Sequence, residues 1–123
     1  FYKSIESTSY LKYLWSKYKI NKSYQSTKEL IDKYDLDAFI GLTRGPAWKI
    51  NYDGGDYVAI NNTIEFGSGG YAAHNGMPHI TIPYFEINKF PVGISIIGDR
   101  WTDKMIIGYA SAIEKSRYNL DTQ

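Results

Sequence analysis

Residues 67–83, GSGGYAAHNGMPHITIP, join a glycine-rich segment to an apolar run. Gly67, Gly69 and Ala72 fit the pattern G-x-G-x-x-A, which opens a helix in dinucleotide-binding folds. Those folds also need a buried strand before the glycines and a parallel strand after the helix. Here the preceding NNTIEF is a poor buried strand, and the following segments have the pattern of a hairpin. We therefore predict a short helix and then a strand, without a phosphate site.

Three apolar segments predict a sheet on either side of this stretch. HITIPYFEI and FPVGISIIG have the composition of strands, and Asn88-Lys89 between them indicates an antiparallel hairpin. LDAFIGL is a third short apolar run and ends before Gly45-Pro46. We predict an α/β fold in which helices at both ends of the chain cover a mixed sheet of about three strands, Leu36–Leu42, His79–Ile87 and Val92–Ile97.

The helical segments lie at the two ends of the chain. Between Tyr10 and Tyr34, apolar residues recur at spacings of three and four, and Ser26-x-x-Glu29 resembles a capping box that favours two separate helices. A second apolar stripe predicts a closing helix; its members are Met105, Ile106, Tyr109, Ala110 and Ile113. We predict one domain over residues 1–123, helical over 1–35, with a sheet, a loop at 43–70 and the closing helix over 36–123.

Composition excludes several classes of function. The 123 residues include 14 Lys and Arg against 13 Asp and Glu, and these charges are scattered, so we expect neither nucleic acid nor a membrane as a partner. No apolar run approaches the roughly 20 residues that span a bilayer. There are no cysteines, and no targeting segment precedes Phe1, so we expect a cytoplasmic protein. Because the sequence does not start with Met, we expect a piece of a longer chain or a processed product.

Two motifs with catalytic or metal-binding potential are better explained by local structure. Ser9-x-x-Lys12 matches the nucleophile motif of penicillin-recognising enzymes, but the chain has neither Ser-Asp-Asn nor Lys-Thr-Gly, so Ser9 is predicted to cap a helix. His74 and His79 are the only histidines and have no supporting cluster of ligands. We predict no metal and no cofactor.

The irregular segment after the first predicted strand carries the candidate binding residues. Open α/β sheets place binding groups where strands end, and Thr43 and Arg44 directly follow Leu42. Trp48 lies in a segment without periodicity, and Asp53 and Asp56 offer charges to a polar substrate. We predict substrate binding by Thr43, Arg44, Trp48, Asp53 and Asp56. The alternative for Trp48 is that it holds the loop against the body of the domain.

Four segments in series resemble the carboxyl-terminal part of the amidase signature family: LDAFIGLTRGPAWKI, YAAHNGMPHITIP, FPVGISIIGDRW and MIIGYASAIEKS. They cover nearly all of residues 36–117 in the order of the family pattern. GPAW, residues 45–48, resembles amidases that act on peptide amides or nylon-type oligoamides. The chain departs from the pattern at Leu42, where the family has Pro, and at Asn75, where it has a small residue. These departures bear on substrate class more than on fold.

The resemblance implies a role for this chain within a larger enzyme. The family hydrolyses amides with a serine nucleophile activated through a second serine and a lysine, in a Gly/Ser-rich signature upstream of this region. That signature is absent here, so we assign no catalytic residue and expect the chain alone to be inactive. The implied partners are the missing N-terminal amidase portion and a small-molecule amide substrate. Strand edges exposed without that portion predict a homo-oligomer. The alternative is a stand-alone module that binds a small molecule or glycan without catalysis.

Overall fold

The computed structural model describes residues 9–61 and 67–121. The described elements, in chain order, are helix α1 (Tyr10–Tyr34), strand β1 (Ala38–Leu42), helices α2 (Gly55–Asn61) and α3 (Gly69–Asn75), strands β2 (His79–Ile87) and β3 (Phe90–Gly98), and helix α4 (Asp103–Asp121). The chain divides into two compact units, one ending at Leu36 and the other beginning at Asp37. No described helix has both the length and the apolar character needed to cross a membrane. The α/β class is confirmed.

Helix α1 forms the described part of the first unit. Ser9 precedes it in extended conformation, and its Oγ accepts a hydrogen bond from the backbone N–H of Lys12 at 3.4 Å. The first turn of a helix leaves its N–H groups without backbone partners, and a side-chain oxygen at this position satisfies one of them. The capping role predicted for Ser9 is therefore confirmed.

The prediction of two separate helices in the first unit is wrong, because α1 runs without a break. Ser26 Oγ donates to the Lys22 carbonyl at 3.3 Å, and Thr27 Oγ1 donates to the Ser23 carbonyl at 3.2 Å. These hydroxyls bond back to the preceding turn of the same helix, a pattern that Ser and Thr adopt inside helices. Ser26 is therefore an interior residue and not the start of a second helix.

The second unit is built on a three-stranded antiparallel sheet with the order β1-β3-β2. Asn88 and Lys89 join β2 to β3 with φ values of 53° and 67°, and positive φ at both central residues is the requirement of a type I′ hairpin turn. β1 pairs with the other edge of β3, also antiparallel. The described sheet is thus antiparallel and not mixed, because β3 separates β1 from β2, the two strands that run in the same direction.

One face of the sheet carries the apolar core of the second unit. Side chains alternate across a strand, so every second residue of β2 and β3 points to this face, where α4 packs. The buried cluster consists of Ile82, Ile94, Ile96, Ile106 and Ala110. Each fully buried isoleucine contributes about 1.5–3 kcal/mol relative to an exposed one. Covering of the sheet by α4 is confirmed, whereas covering by the N-terminal helix and the single domain stay predictions.

Strand bounds agree closely with the sequence prediction. β2 spans the predicted residues, β3 is longer at both ends, and β1 starts at Ala38 instead of Leu36. The segment predicted as a loop over 43–70 contains two helical stretches: α2, and the start of α3 at Gly69. Residues 62–66 of that segment lie outside the described part. Helix α3 ends in a Schellman motif, in which Gly76 has a φ of 62° and the Met77 N–H donates to the Ala72 carbonyl at 3.0 Å. The predicted turn from short helix to strand is confirmed.

Close approach of α4 to the end of β3 requires a glycine at position 98. A Cβ at Gly98 would lie 2.6 Å from Cγ2 of Ile106 and would also collide with Oγ1 of Thr102. We expect Gly98→Ala to lower the free energy of unfolding by about 1–3 kcal/mol, since overpacking displaces the helix. Gly41→Ala in β1 is the matched control, because no atom lies within 4 Å of its added Cβ. Urea denaturation of both variants measures the difference, and equal midpoints would contradict this account of the helix–strand contact.

Candidate functional site

The second face of the sheet carries a group of polar side chains, here called the polar cluster. The antiparallel register pairs Thr81 on β2 with Ser95 on β3, and the alternation of β2 places His79 on the same face. Thr43 follows β1 directly, and Ser68 precedes α3. The cluster consists of Thr43, Ser68, His79, Thr81 and Ser95. Four segments of the chain therefore meet at one patch of the sheet.

Ser95 is at the centre of the polar cluster and is only 1% exposed. Its Oγ lies 2.6 Å from His79 Nε2, and it is 2.8 Å from both Ser68 Oγ and Thr43 Oγ1. A buried hydroxyl without a partner costs about 1–3 kcal/mol, so these contacts make Ser95 tolerable in the central strand. Thr43 Oγ1 and Thr81 Oγ1 are a further 3.4 Å apart.

Thr43 is held by its backbone as well as by its side chain. Its N–H donates to the Gly93 carbonyl at 2.9 Å, and its carbonyl accepts from the Ser68 N–H at 3.2 Å. A Cβ at Gly93 would lie 2.7 Å from Thr81 Cγ2 and 3.1 Å from Thr43 Oγ1. Glycine at position 93 therefore gives the two threonines the space in which to approach each other.

Arg44 and Trp48 form the next contact along the chain. Arg44 makes an antiparallel bridge with Gly67, and its guanidinium lies 5.0 Å from the centroid of the Trp48 ring. A cation over an aromatic face at this distance contributes about 0.5–1 kcal/mol at exposed sites. Arg44 is exposed and Trp48 is half-buried. The pair presents a positive charge and part of an aromatic face next to the polar cluster.

Asp53 and Asp56 lie apart from this contact. Asn51 Oδ1 accepts hydrogen bonds from the N–H groups of Asp53 and Gly54 at 3.1 and 2.8 Å, which forms a local Asx turn. Asp56 lies in the first turn of α2, where a carboxylate favours the positive end of the helix dipole. Over residues 9–61 and 67–121, no ion pair joins Arg44 to either aspartate. The structure thus brings Thr43, Arg44 and Trp48 together and leaves both aspartates on the exposed part of the loop.

Sequence reasoning identified Thr43 but missed the other four members of the polar cluster. His79 was predicted to open a strand, which is confirmed, and the strand pattern left its ring without a role. The signal that was available is the polar alternation of His79 and Thr81 in an apolar strand, together with Ser95 as a lone polar residue in GISIIG. In the part of the chain that the structure describes, no group of three or more His, Cys, Asp or Glu side chains could hold a metal ion.

The glycine-rich segment serves packing around the polar cluster. A Cβ at Gly69 would lie 3.6 Å from Cε1 of His79, so the start of α3 passes beside the imidazole ring. His74 Nδ1 lies 2.6 Å from the Gly70 carbonyl within the same helix. An antiparallel hairpin follows α3, whereas a dinucleotide site needs a parallel strand there. Rejection of the phosphate-site hypothesis on the pattern of the flanking segments is therefore confirmed.

Comparison with known proteins adds family evidence to this geometry. No family model matches the sequence. A 45-residue segment is 44% identical to the amidase-type chain of glutamyl-tRNA(Gln) amidotransferase from Thermotoga maritima, covering 36% of this chain and 10% of that protein. The fold is similar to native peptide amidase from Stenotrophomonas maltophilia, with a TM-score of 0.58 and 28% identity over 72% of this chain. Peptide amidase PAM in complex with the competitive inhibitor chymostatin gives a TM-score of 0.59 and 31% identity over 70% of this chain.

The chain is short relative to these proteins. It covers 16% of the length of each peptide amidase and a smaller share of the amidotransferase chain. The sequence match and both structural matches point to the same kind of protein. By sequence and by fold, the chain corresponds to the carboxyl-terminal portion of the amidase signature family.

Proposed function

We propose that this chain is the carboxyl-terminal part of a hydrolase that cleaves carbon–nitrogen bonds in small-molecule amides. The observation that carries the proposal is the similarity to peptide amidase in both fold and sequence, with a TM-score of 0.58 and 28% identity over 72% of this chain. The chain supplies sheet strands and a loop that closes one side of the substrate pocket. The serine nucleophile, the second serine and the lysine lie in the upstream part of the parent enzyme.

The Ser95–His79 pair does not act as a nucleophile and base in this proposal, although its 2.6 Å separation is within the range of such pairs. A nucleophile must reach the carbonyl carbon of its substrate. Ser95 is 1% exposed, and three other side chains of the sheet face surround its hydroxyl. Its role is therefore structural, and catalytic residues are not assigned to this chain.

The proposed substrate-binding residues are Thr43, Arg44, Trp48, Asp53 and Asp56. The Arg44–Trp48 contact gives the first three of them a chemical role: the guanidinium donates hydrogen bonds to a carbonyl or carboxylate group, and the indole packs against an apolar part of the substrate. The two aspartates reach the substrate when the pocket closes around its polar end. Such a pocket fits a molecule with an amide at one end and an apolar body.

Activity of the parent enzyme tests the proposed function. We expect the full-length parent to release ammonia or an amine from a small-molecule amide, measured by a coupled ammonia assay or by chromatography. The 123-residue chain alone is expected to be inactive, because acyl transfer needs a nucleophile, its base and an oxyanion site together. An inactive parent that still binds small molecules or glycans would favour the binding-module alternative. Turnover by the short chain that Ser9→Ala abolishes would contradict the assignment of catalysis to the upstream part.

Trp48 is predicted to contribute to transition-state binding. In the full-length parent, we expect Trp48→Ala to reduce kcat/KM by roughly tenfold or more, equivalent to about 1.4 kcal/mol. Its Tm should change little, since a side chain that faces the pocket contributes little packing. Tyr52→Ala is the matched control, because Tyr52 is an aromatic residue of the same loop and is 90% exposed. Unchanged kinetics with a Tm lower by several degrees would show that Trp48 instead holds the loop against the domain.

Self-association of the isolated chain is predicted from strand β1. It pairs with β3 along one edge, and no described strand pairs with its other edge. Ile40 and Leu42 on this strand are 63% and 43% exposed. Open apolar edges pair with other chains, so we expect concentration-dependent dimers or larger species in sedimentation velocity. Ile40→Lys should reduce them, because a charge opposes edge pairing. A monomer at all concentrations would contradict the prediction.

A further inference from the structure

The polar cluster links His79 on β2 to Thr43 at the start of the proposed substrate-binding loop. His79 Nε2 is 2.6 Å from Ser95 Oγ, and Ser95 Oγ is 2.8 Å from Thr43 Oγ1. Ser95 and Thr43 are 52 residues apart in sequence, so this hydrogen bond connects the loop to the central strand of the sheet. A change at the histidine ring therefore reaches the loop through two short contacts.

The number of hydroxyl protons restricts how these groups are oriented. A serine hydroxyl donates one hydrogen bond and accepts two, and Ser95 has three partners within 2.8 Å. If His79 Nε2 carries a proton, it donates to Ser95, which donates to Thr43, and Thr43 donates to Thr81. If Nε2 has no proton, Ser95 donates to the ring and Thr43 must donate to Ser95 instead. The state of the His79 ring thus sets the direction in which the Thr43 hydroxyl points.

We propose that His79 is a positioning residue for the substrate-binding loop, acting through Ser95 on Thr43. This inference rests on the proposed function for its effect on catalysis. By fixing the Thr43 side chain, His79 also fixes the chain direction into Arg44, whose guanidinium lies over Trp48. The ring is not a catalytic residue, because it acts on the substrate only through this loop.

The placement of His79 separates positioning from general stability. The apolar core of the second unit lies on the opposite face of the sheet, where Ile82, Ile94 and Ile96 pack with α4. His79 is the first residue of β2 and is largely exposed. Its replacement should therefore disturb the loop while leaving the core packed.

The kinetic test uses the full-length parent with three variants. His79→Leu removes the ring nitrogens, whereas His79→Gln keeps a donor and an acceptor near the position of Nε2. We expect His79→Leu to raise KM by roughly tenfold with kcat nearly unchanged, and His79→Gln to restore most of the loss. His74→Leu is the matched control on α3, where the ring bonds only within its own helix. A fall in kcat at unchanged KM, or failure of the glutamine variant to rescue, would overturn the proposal.

A double-mutant cycle tests whether His79 acts through Thr43. If it does, adding His79→Leu to a Thr43→Val variant should have little further effect on KM, because coupled residues are not additive. Additive effects of the two changes would overturn the proposed route.

A structural readout separates this inference from the proposed function. In the 123-residue chain, the indole N–H resonance of Trp48, assigned through Trp48→Phe, should shift in His79→Leu and return in His79→Gln. The indole resonances of Trp15 and Trp101 should stay in place. This result supports positioning even where the parent shows no amide hydrolysis, an outcome that would remove only the proposed function. An unchanged Trp48 resonance in His79→Leu would overturn the positioning role.

Discussion

Strand β3 has paired edges on both sides, and this constraint governs the second unit. Its backbone is hydrogen-bonded to β1 and β2, so each of its side chains must point to one of two faces. Ile94 and Ile96 point to the face that α4 covers, and Ser95 between them points to the other. The same nine residues therefore hold the apolar core in place and bring a buried hydroxyl to the opposite surface.

The buried hydroxyl of Ser95 in turn determines what can pack on that surface. An unpaired polar group there is costly, and a side chain with three close partners avoids the cost. Those partners come from β2, from the end of β1 and from the residue before α3. Gly93 leaves space for Thr43 and Thr81, and Gly69 allows α3 to begin beside the His79 ring. One polar position in the central strand thus accounts for small residues in two neighbouring segments.

Patterns in the sequence were sufficient for elements that depend on local chemistry. The hairpin was predicted from the two residues at its turn, β2 and α4 from apolar periodicity, and the Gly76 turn from a glycine that has positive φ. The predicted break in α1 was wrong because the Ser26 hydroxyl bonds to its own helix. The mixed sheet was wrong because the pairing of β1 with β3 joins distant segments. The polar cluster was missed for the same reason, since its members meet only through that register.

The glycine-rich segment illustrates how one composition can serve two different chemistries. In a phosphate-binding loop, glycines let backbone N–H groups approach an anion, and a parallel strand must follow the helix. Here, Gly76 lets the chain leave α3 in a left-handed conformation and enter β2 antiparallel to β3. The direction of that next strand decides between the two, because only the antiparallel arrangement brings His79 across from Ile97 and next to Ser95. The glycines therefore support contacts between protein groups, and the cluster they surround leads to the loop that carries Arg44 and Trp48.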